Sequence, residues 1–79
     1  MFLDQLPSGQ TAIVRRVGDQ GTNDPVACRL RELGFVPGEP VRIVARGPFG
    51  GDPVAVRIGS TRFALRLSEA ARVELEDQP

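Results

Sequence analysis

The stretch CRLRELGFVPGEPVRIV, Cys28 to Val44, constrains this chain most, because a helical pattern runs into a strand with only a few residues between. Asn23 or Asp24 can serve as the N-cap, Pro25 suits the first turn and Gly34 suits the C-cap. NDPVACRLRELG therefore predicts a helix over about residues 24–33. At about 100° per residue, Val26, Leu30 and Leu33 share one face with Ala27 beside them, while Cys28 falls on the far side. An apolar stripe of that kind closes an open end or seam of a sheet. Gly34 stops the helix, Phe35-Val36 tuck in behind it, and Pro37-Gly38 turn the chain into the strand Pro40 to Arg46.

The remaining segments are short and read as strands. FLDQLPSG is an apolar lead-in anchored by Leu3 and Leu6; QTAIVRRV (Gln10 to Val17) is a first strand, and GDQGTN is a flexible loop. After the second strand, GPFGGDP is a turn and VAVRI (Val54 to Ile58) a third strand. Gly59-Ser60 has the form of a two-residue hairpin, followed by TRFALRL (Thr61 to Leu67). SEAA supplies one helical turn capped by Ser68, and RVELE a short last strand. Alternation places Val41, Ile43 and Ala45 on one face of the second strand, Val54, Val56 and Ile58 on that of the third, and Phe63, Leu65 and Leu67 on that of the fourth. With Gly59-Ser60 as the turn, Val56 stands opposite Phe63 and Val54 opposite Leu65, so the apolar faces agree in register. The expected fold is mainly β: a small, strongly bent barrel of about five strands with one inserted helix, a single domain over residues 1–79.

Composition narrows function chiefly by what is missing. There is no His, Tyr or Trp among the 79 residues, so no Ser–His or Cys–His arrangement can form, and the carboxylates are scattered. No Walker loop, GxGxxG or CxxC is present, and an enzyme is not expected. Formal net charge is zero, with ten acidic and ten basic residues, which argues against nucleic acid or anionic lipid held by bulk charge. No apolar run reaches the ~18 residues of a membrane span, the start MFLDQLPSG lacks the pattern of an export signal, and one Cys closes no internal disulfide. A cytoplasmic location is the expectation. All ten basic residues are Arg, a bias that a GC-rich genome produces by itself. Its physical consequence is that Arg forks bind carboxylates and phosphates bidentately where Lys cannot.

With the elements placed, LRELGFVPGEPVRIV, GPFGGDPVAVRI and FALRLSEAARVEL, preceded by LDQLPSGQTAIV, together resemble the FeoA family, small cytosolic proteins of bacterial ferrous iron uptake. The match runs in order along nearly the whole chain. The resemblance implies an SH3-like β-barrel with a helix after the first strand. It also implies partnership with the membrane ferrous iron transporter FeoB, at a cytosolic face that carries a GTP-binding domain. Gly51 adds a second glycine to the hairpin, which lengthens or bulges that turn. The same SH3-like domain ends some iron-dependent repressors, so a free-standing relative of a repressor domain is a further reading.

Two residue sets are candidate sites. The alternation that buries the apolar residues turns Arg42 and Arg46, Arg57, and Arg62 and Arg66 outward on three consecutive strands, with Arg57 opposite Arg62. Such a face is either solvated and relieved by Glu39, Asp52 or Glu69, or it docks an acidic protein surface or phosphates. On the helix, Asp24, Cys28 and Glu32 stand at i, i+4 spacing and could hold part of a zinc or ferrous ion, completed by solvent or by a second chain in a metal-mediated dimer. Lacking His, that site would be weak and adventitious, and no cofactor is required. Phe63 and Phe35 belong to the core by phase, which leaves no aromatic groove for proline-rich peptides. PGEPVRIV…GPFGG is also similar to KOW-type barrels, whose Arg face would meet phosphate; zero net charge and the lack of an aromatic clearly free to stack rank this lower, and no nucleic-acid partner is expected.

Overall fold

The computed structural model describes residues 1–19, 21 and 23–76, so that Gln20 and Thr22 of the expected loop, and residues 77–79, lie outside the described residues. A single 3₁₀ turn, Leu3–Gln5, leads into β1 (Thr11–Val17), α1 (Pro25–Leu33), β2 (Pro40–Gly47), β3 (Gly51–Ile58), β4 (Thr61–Leu65), α2 (Leu67–Ala70) and β5 (Val73–Leu75). The strands form one antiparallel sheet in the order β4-β3-β2-β1-β5.

The sheet does not close into the barrel expected. β4 and β5 are its two edges, and neither pairs with the other. The outer edge of β5 is taken by the chain start: Leu75 donates its N–H to the Met1 carbonyl at 2.8 Å, and Phe2 bridges Glu74. At the opposite edge, α1 flanks β4, and the two line a common cleft through Val26, Leu30 and Leu33 on one side and Phe63 and Leu65 on the other.

The helix follows its local signals. Asp24 is the N-cap, its Oδ1 accepting the N–H of Val26 at 3.0 Å and of Ala27 at 3.4 Å, and Gly34 ends the helix in the left-handed region at φ 114°. Ala27 and Leu30 are buried, Val26 and Leu33 pack partly against the core, and Cys28 is exposed. Phe35 is fully buried, its ring 6.2 Å from that of Phe63, whereas Val36, expected to tuck in with it, is exposed. The core itself is drawn from every strand, with Val14, Val41, Ile43, Val54, Val56, Val73 and Leu75 at its centre.

Three local departures from strict alternation shape the outer face. A β-bulge between Ile43 and Ala45 gives β2 one residue more than β3, so Ala45 pairs with Ala55 on the outer face instead of joining the core. β3 starts at Gly51, three residues earlier than expected, because Gly47 and Gly51 pair across a tight hairpin; a Cβ on Gly47 would lie 2.5 Å from the Asp52 carbonyl oxygen. Leu67 leaves the fourth strand to open α2, where its N–H donates to Asp52 Oδ1 at 3.0 Å. The cap of α2 is therefore Arg66 and not Ser68, and Glu69 reaches back to accept the Arg66 N–H at 2.8 Å.

Candidate functional site

The outer face of the sheet carries a row built by register. The Gly59-Ser60 turn, with Gly59 at φ 59°, sets Ile58 opposite Thr61 and hence Arg57 opposite Arg62. On the other side of β3, Arg57 stands opposite Arg42, and Arg42 opposite Thr11 of β1. Thr11, Arg42, Arg57 and Arg62 thus cross four strands in line, all exposed. The next row out is apolar and small: Ala45, Ala55 and Ala64.

Like charges directly opposite one another disfavour a sheet by several tenths of a kcal/mol, and this row contains two such pairs. The carboxylates expected to relieve it are engaged elsewhere or form no ion pair with it. Asp52 accepts from the Leu67 amide and Glu69 from the Arg66 amide, and no described carboxylate, Glu39 included, bridges Arg42, Arg57 or Arg62. Between Arg42 and Arg57 lies an open concavity of about 310 Å³, lined also by Thr11, Pro40, Val41 and Gly59. With two guanidinium forks, a hydroxyl and no acid, the arrangement suits an oxyanion, whether the carboxylates of an acidic surface or a phosphate.

Two of the five arginines expected in this row stand apart from it. The bulge in β2 shifts the phase, so Arg46 comes opposite buried Val54, and its Nη2 donates to the carbonyl oxygens of Leu6 at 2.6 Å and Asp4 at 3.2 Å. Arg46 fastens the 3₁₀ turn to the sheet. Arg66 lies past the end of β4 at the α2 cap, exposed and off the ladder.

The helical set is also divided. Asp24 is buried rather than outward-facing: besides capping α1, its Oδ2 accepts from Arg72 Nε at 2.7 Å, tying the start of α1 to the residue before β5. Cys28 and Glu32 do meet, Sγ to Oε1 at 3.6 Å, on the exposed side of the helix. One thiol and one carboxylate are two donors short of the four that zinc takes, and among the described residues no group of three His, Cys, Asp or Glu is placed to hold a metal ion.

Two features escape the sequence reading. The Asp24–Arg72 pair joins residues 48 apart, beyond any local pattern. Phe49, 80% exposed at the β2–β3 hairpin tip, stands in GPFGG, where no strand phase buries it, and that placement was the available signal. Elsewhere, Glu74 is held below the usual carboxylate range, first by the hydrogen bond from Arg16 Nε at 2.9 Å, which outweighs an opposing effect of desolvation, and further by the charges of Arg16, Arg15 and the N-terminus. Among the described residues no helix is long and apolar enough to cross a membrane.

Comparison with known proteins places this architecture. A FeoA domain model matches residues 1–77. An Fe(2+) transport protein A/Fe(2+) transporter FeoB fusion protein of Porphyromonas gingivalis is 36% identical over 76 residues, 96% of this chain but only 8% of that protein. FeoA of Stenotrophomonas maltophilia, an SH3-domain protein solved in complex with zinc, is 56% identical, with a TM-score of 0.90 over 96% of this chain and 89% of that one. Iron(II) transport protein A of Clostridium thermocellum is 37% identical, with a TM-score of 0.81 over 96% of this chain and 44% of that one. Manganese-dependent transcriptional repressors at 22% and 24% identity share the fold alone. A domain model spanning nearly every residue, and a relative this similar folded the same way, make the chain a member of the FeoA family, with an SH3-like fold.

Proposed function

We propose that this chain is a non-enzymatic accessory protein of ferrous iron uptake. In this reading it works in the cytoplasm, docks on a FeoB-type membrane transporter and modulates its assembly or GTP-dependent activity. The fusion of a related segment to FeoB in P. gingivalis supports the choice of partner, because two proteins that work together tolerate a shared chain. The observation that carries the docking surface is the row of three aligned arginines that no described carboxylate neutralises. A fold that tolerates Arg42 against Arg57 and Arg57 against Arg62 gains from an acidic partner laid across them. Arg66 extends the same positive field, while Arg46 is committed to holding the 3₁₀ turn.

Zinc in the S. maltophilia relative suggests that Cys28 and Glu32 supply two surface donors here, completed by solvent or a second chain. Such an ion is adventitious and no cofactor is required. Equal zinc binding by wild type and Cys28→Ala removes that assignment.

A nucleic-acid reading has one observation in its favour, the exposed Phe49, which offers the stacking ring that the sequence reading found wanting. Phe49 lies seven residues beyond Arg42, at the far end of the β2–β3 hairpin, so ring and row do not form one site. The deciding experiment is an NMR titration of the labelled chain with the isolated GTP-binding domain of the transporter, and separately with single-stranded RNA, at two salt concentrations. Shifts centred on Arg42, Arg57 and Arg62 with the GTP-binding domain alone, abolished by Arg57→Glu/Arg62→Glu, support docking. Shifts with RNA alone, falling steeply with salt, replace it with phosphate binding.

A further inference from the structure

The two edges of the sheet are finished differently. The outer edge of β5 is already paired with Met1 and Phe2. Among the described residues β4 pairs with β3 alone. Because the hairpin closes on Ile58 and Thr61, alternation hands the backbone groups of Thr61, Phe63 and Leu65 to β3 and turns the N–H and C=O of Arg62 and Ala64 outward. Neither residue has a second strand of the described residues beside it, and both are exposed.

Alongside this edge runs a cleft of about 70 Å³ between β4 and α1, lined by Val26, Leu33 and Phe63 and by the rims Arg29, Ala64 and Glu69. It has room for one small apolar side chain. Arg29 lines it, and Arg62 and Arg66 adjoin in the chain the β4 residues that do; none of the three has a carboxylate partner among the described residues, and the single acid of the lining, Glu69, is bound to the Arg66 amide.

The geometry points to β4 as an acceptor for an extended acidic segment of a partner protein, which adds to the sheet as a sixth strand beside Arg62 and Ala64. Main-chain hydrogen bonds to Arg62 and Ala64 supply the pairing, an apolar side chain enters the α1–β4 cleft, and acidic side chains on either side meet Arg62, Arg66 and Arg29. Charge selects the occupant. A second copy of β4 would bring Arg62 and Arg66 against their own kind, so the arginines that keep this edge from self-pairing favour an acidic strand. Strand addition goes beyond docking on the outer row, since it concerns a separate edge, shares only Arg62 with that row as a direct element, and needs no identified partner.

The test uses the intact, isotopically labelled chain and a capped seven-residue peptide of alternating Glu and Val. At saturation, amide exchange at Arg62 and Ala64 is expected to slow about tenfold while that of Thr11 and Arg42 is unchanged. The same peptide N-methylated on alternate amides, and an alternating Lys/Val peptide, are expected to lose that protection. Ala64→Pro removes an outward donor that β3 does not use, so the chain should keep its dispersed spectrum and lose the peptide at least about fivefold. Arg42→Ala should bind as wild type.

The inference is overturned by full binding of the N-methylated peptide, by peptide shifts confined to Arg42 and Arg57, or by protection of Ala64 that rises with protein concentration without peptide, which would mean self-pairing. Failure with this peptide while the transporter's GTP-binding domain still shifts Arg42 and Arg57 would sink strand addition and leave the docking reading standing.

Discussion

Arg72 and Arg57 are the same residue type in opposite circumstances. Arg72 is largely buried, its side chain 14% exposed, and spends its donors on Asp24 Oδ2 and the Ser68 carbonyl, joining α1, α2 and the start of β5. Arg57 is exposed, flanked by Arg42 and Arg62, and bridged to no described carboxylate. One is placed where the fold needs its charge, the other where the fold would be more comfortable without it. Arg46 belongs with Arg72, since its carbonyl acceptors Leu6 and Asp4 are also structural. The contrast separates arginines that hold this domain together from those left facing outward, and substitutions on each side of it should behave differently.

Removing Asp24 should cost most. Asp24→Ala deletes the α1 cap and strands Arg72, for a loss on the order of 3 kcal/mol in chemical denaturation; Asp24→Asn keeps the cap and should lose roughly half as much. If both variants are within about 0.5 kcal/mol of wild type, Arg72 does not hold the fold together through Asp24.

Arg46→Ala should follow at about 1–2 kcal/mol, because it frees the carbonyl of buried Leu6 and looses the 3₁₀ turn from the sheet. Arg57→Thr should move the other way, raising stability by about 0.5 kcal/mol as two like-charge contacts disappear. That gain should shrink as salt is added, which separates repulsion from mere strand propensity. Under the docking proposed above, the same substitution should weaken binding to the transporter's GTP-binding domain, so stability and affinity change in opposite senses at one residue.

The smallest effect concerns Glu74 beside Arg16 and Arg15. Its folded pKa is depressed, so its contribution to stability is present above the ordinary carboxylate pKa and fades as pH falls through the lower, folded value. Arg16→Ala should flatten that part of the stability–pH curve by lowering the neutral plateau slightly, with the acid end, where Glu74 is protonated, nearly unchanged. An unaltered acid limb would show that the Arg16–Glu74 pair carries no linkage.

Most of the fold was legible wherever a short-range rule applied. The helix read from Asp24, Pro25 and Gly34 is bounded by the same residues in the structure, since capping is decided within one turn of chain. The Gly59-Ser60 turn set Arg57 against Arg62 because a two-residue loop leaves a hairpin no freedom of register. What failed had remote causes. Ala45 and Arg46 changed sides because of one extra residue in β2, which alternation cannot anticipate. Leu67 left its strand for a carboxylate 15 residues away, that of Asp52.

The sequence by itself determined the elements, the hairpin register and the facing of Arg42, Arg57 and Arg62, because caps, turns and the two-residue period of a strand act over a few residues. Tertiary structure alone decided that Asp24 binds Arg72, that Arg46 is structural, and that the sheet stays open, with one edge taken by Met1 and Phe2 and the other left to β4. Those outcomes depend on which distant groups meet across the fold, and no local period carries that information.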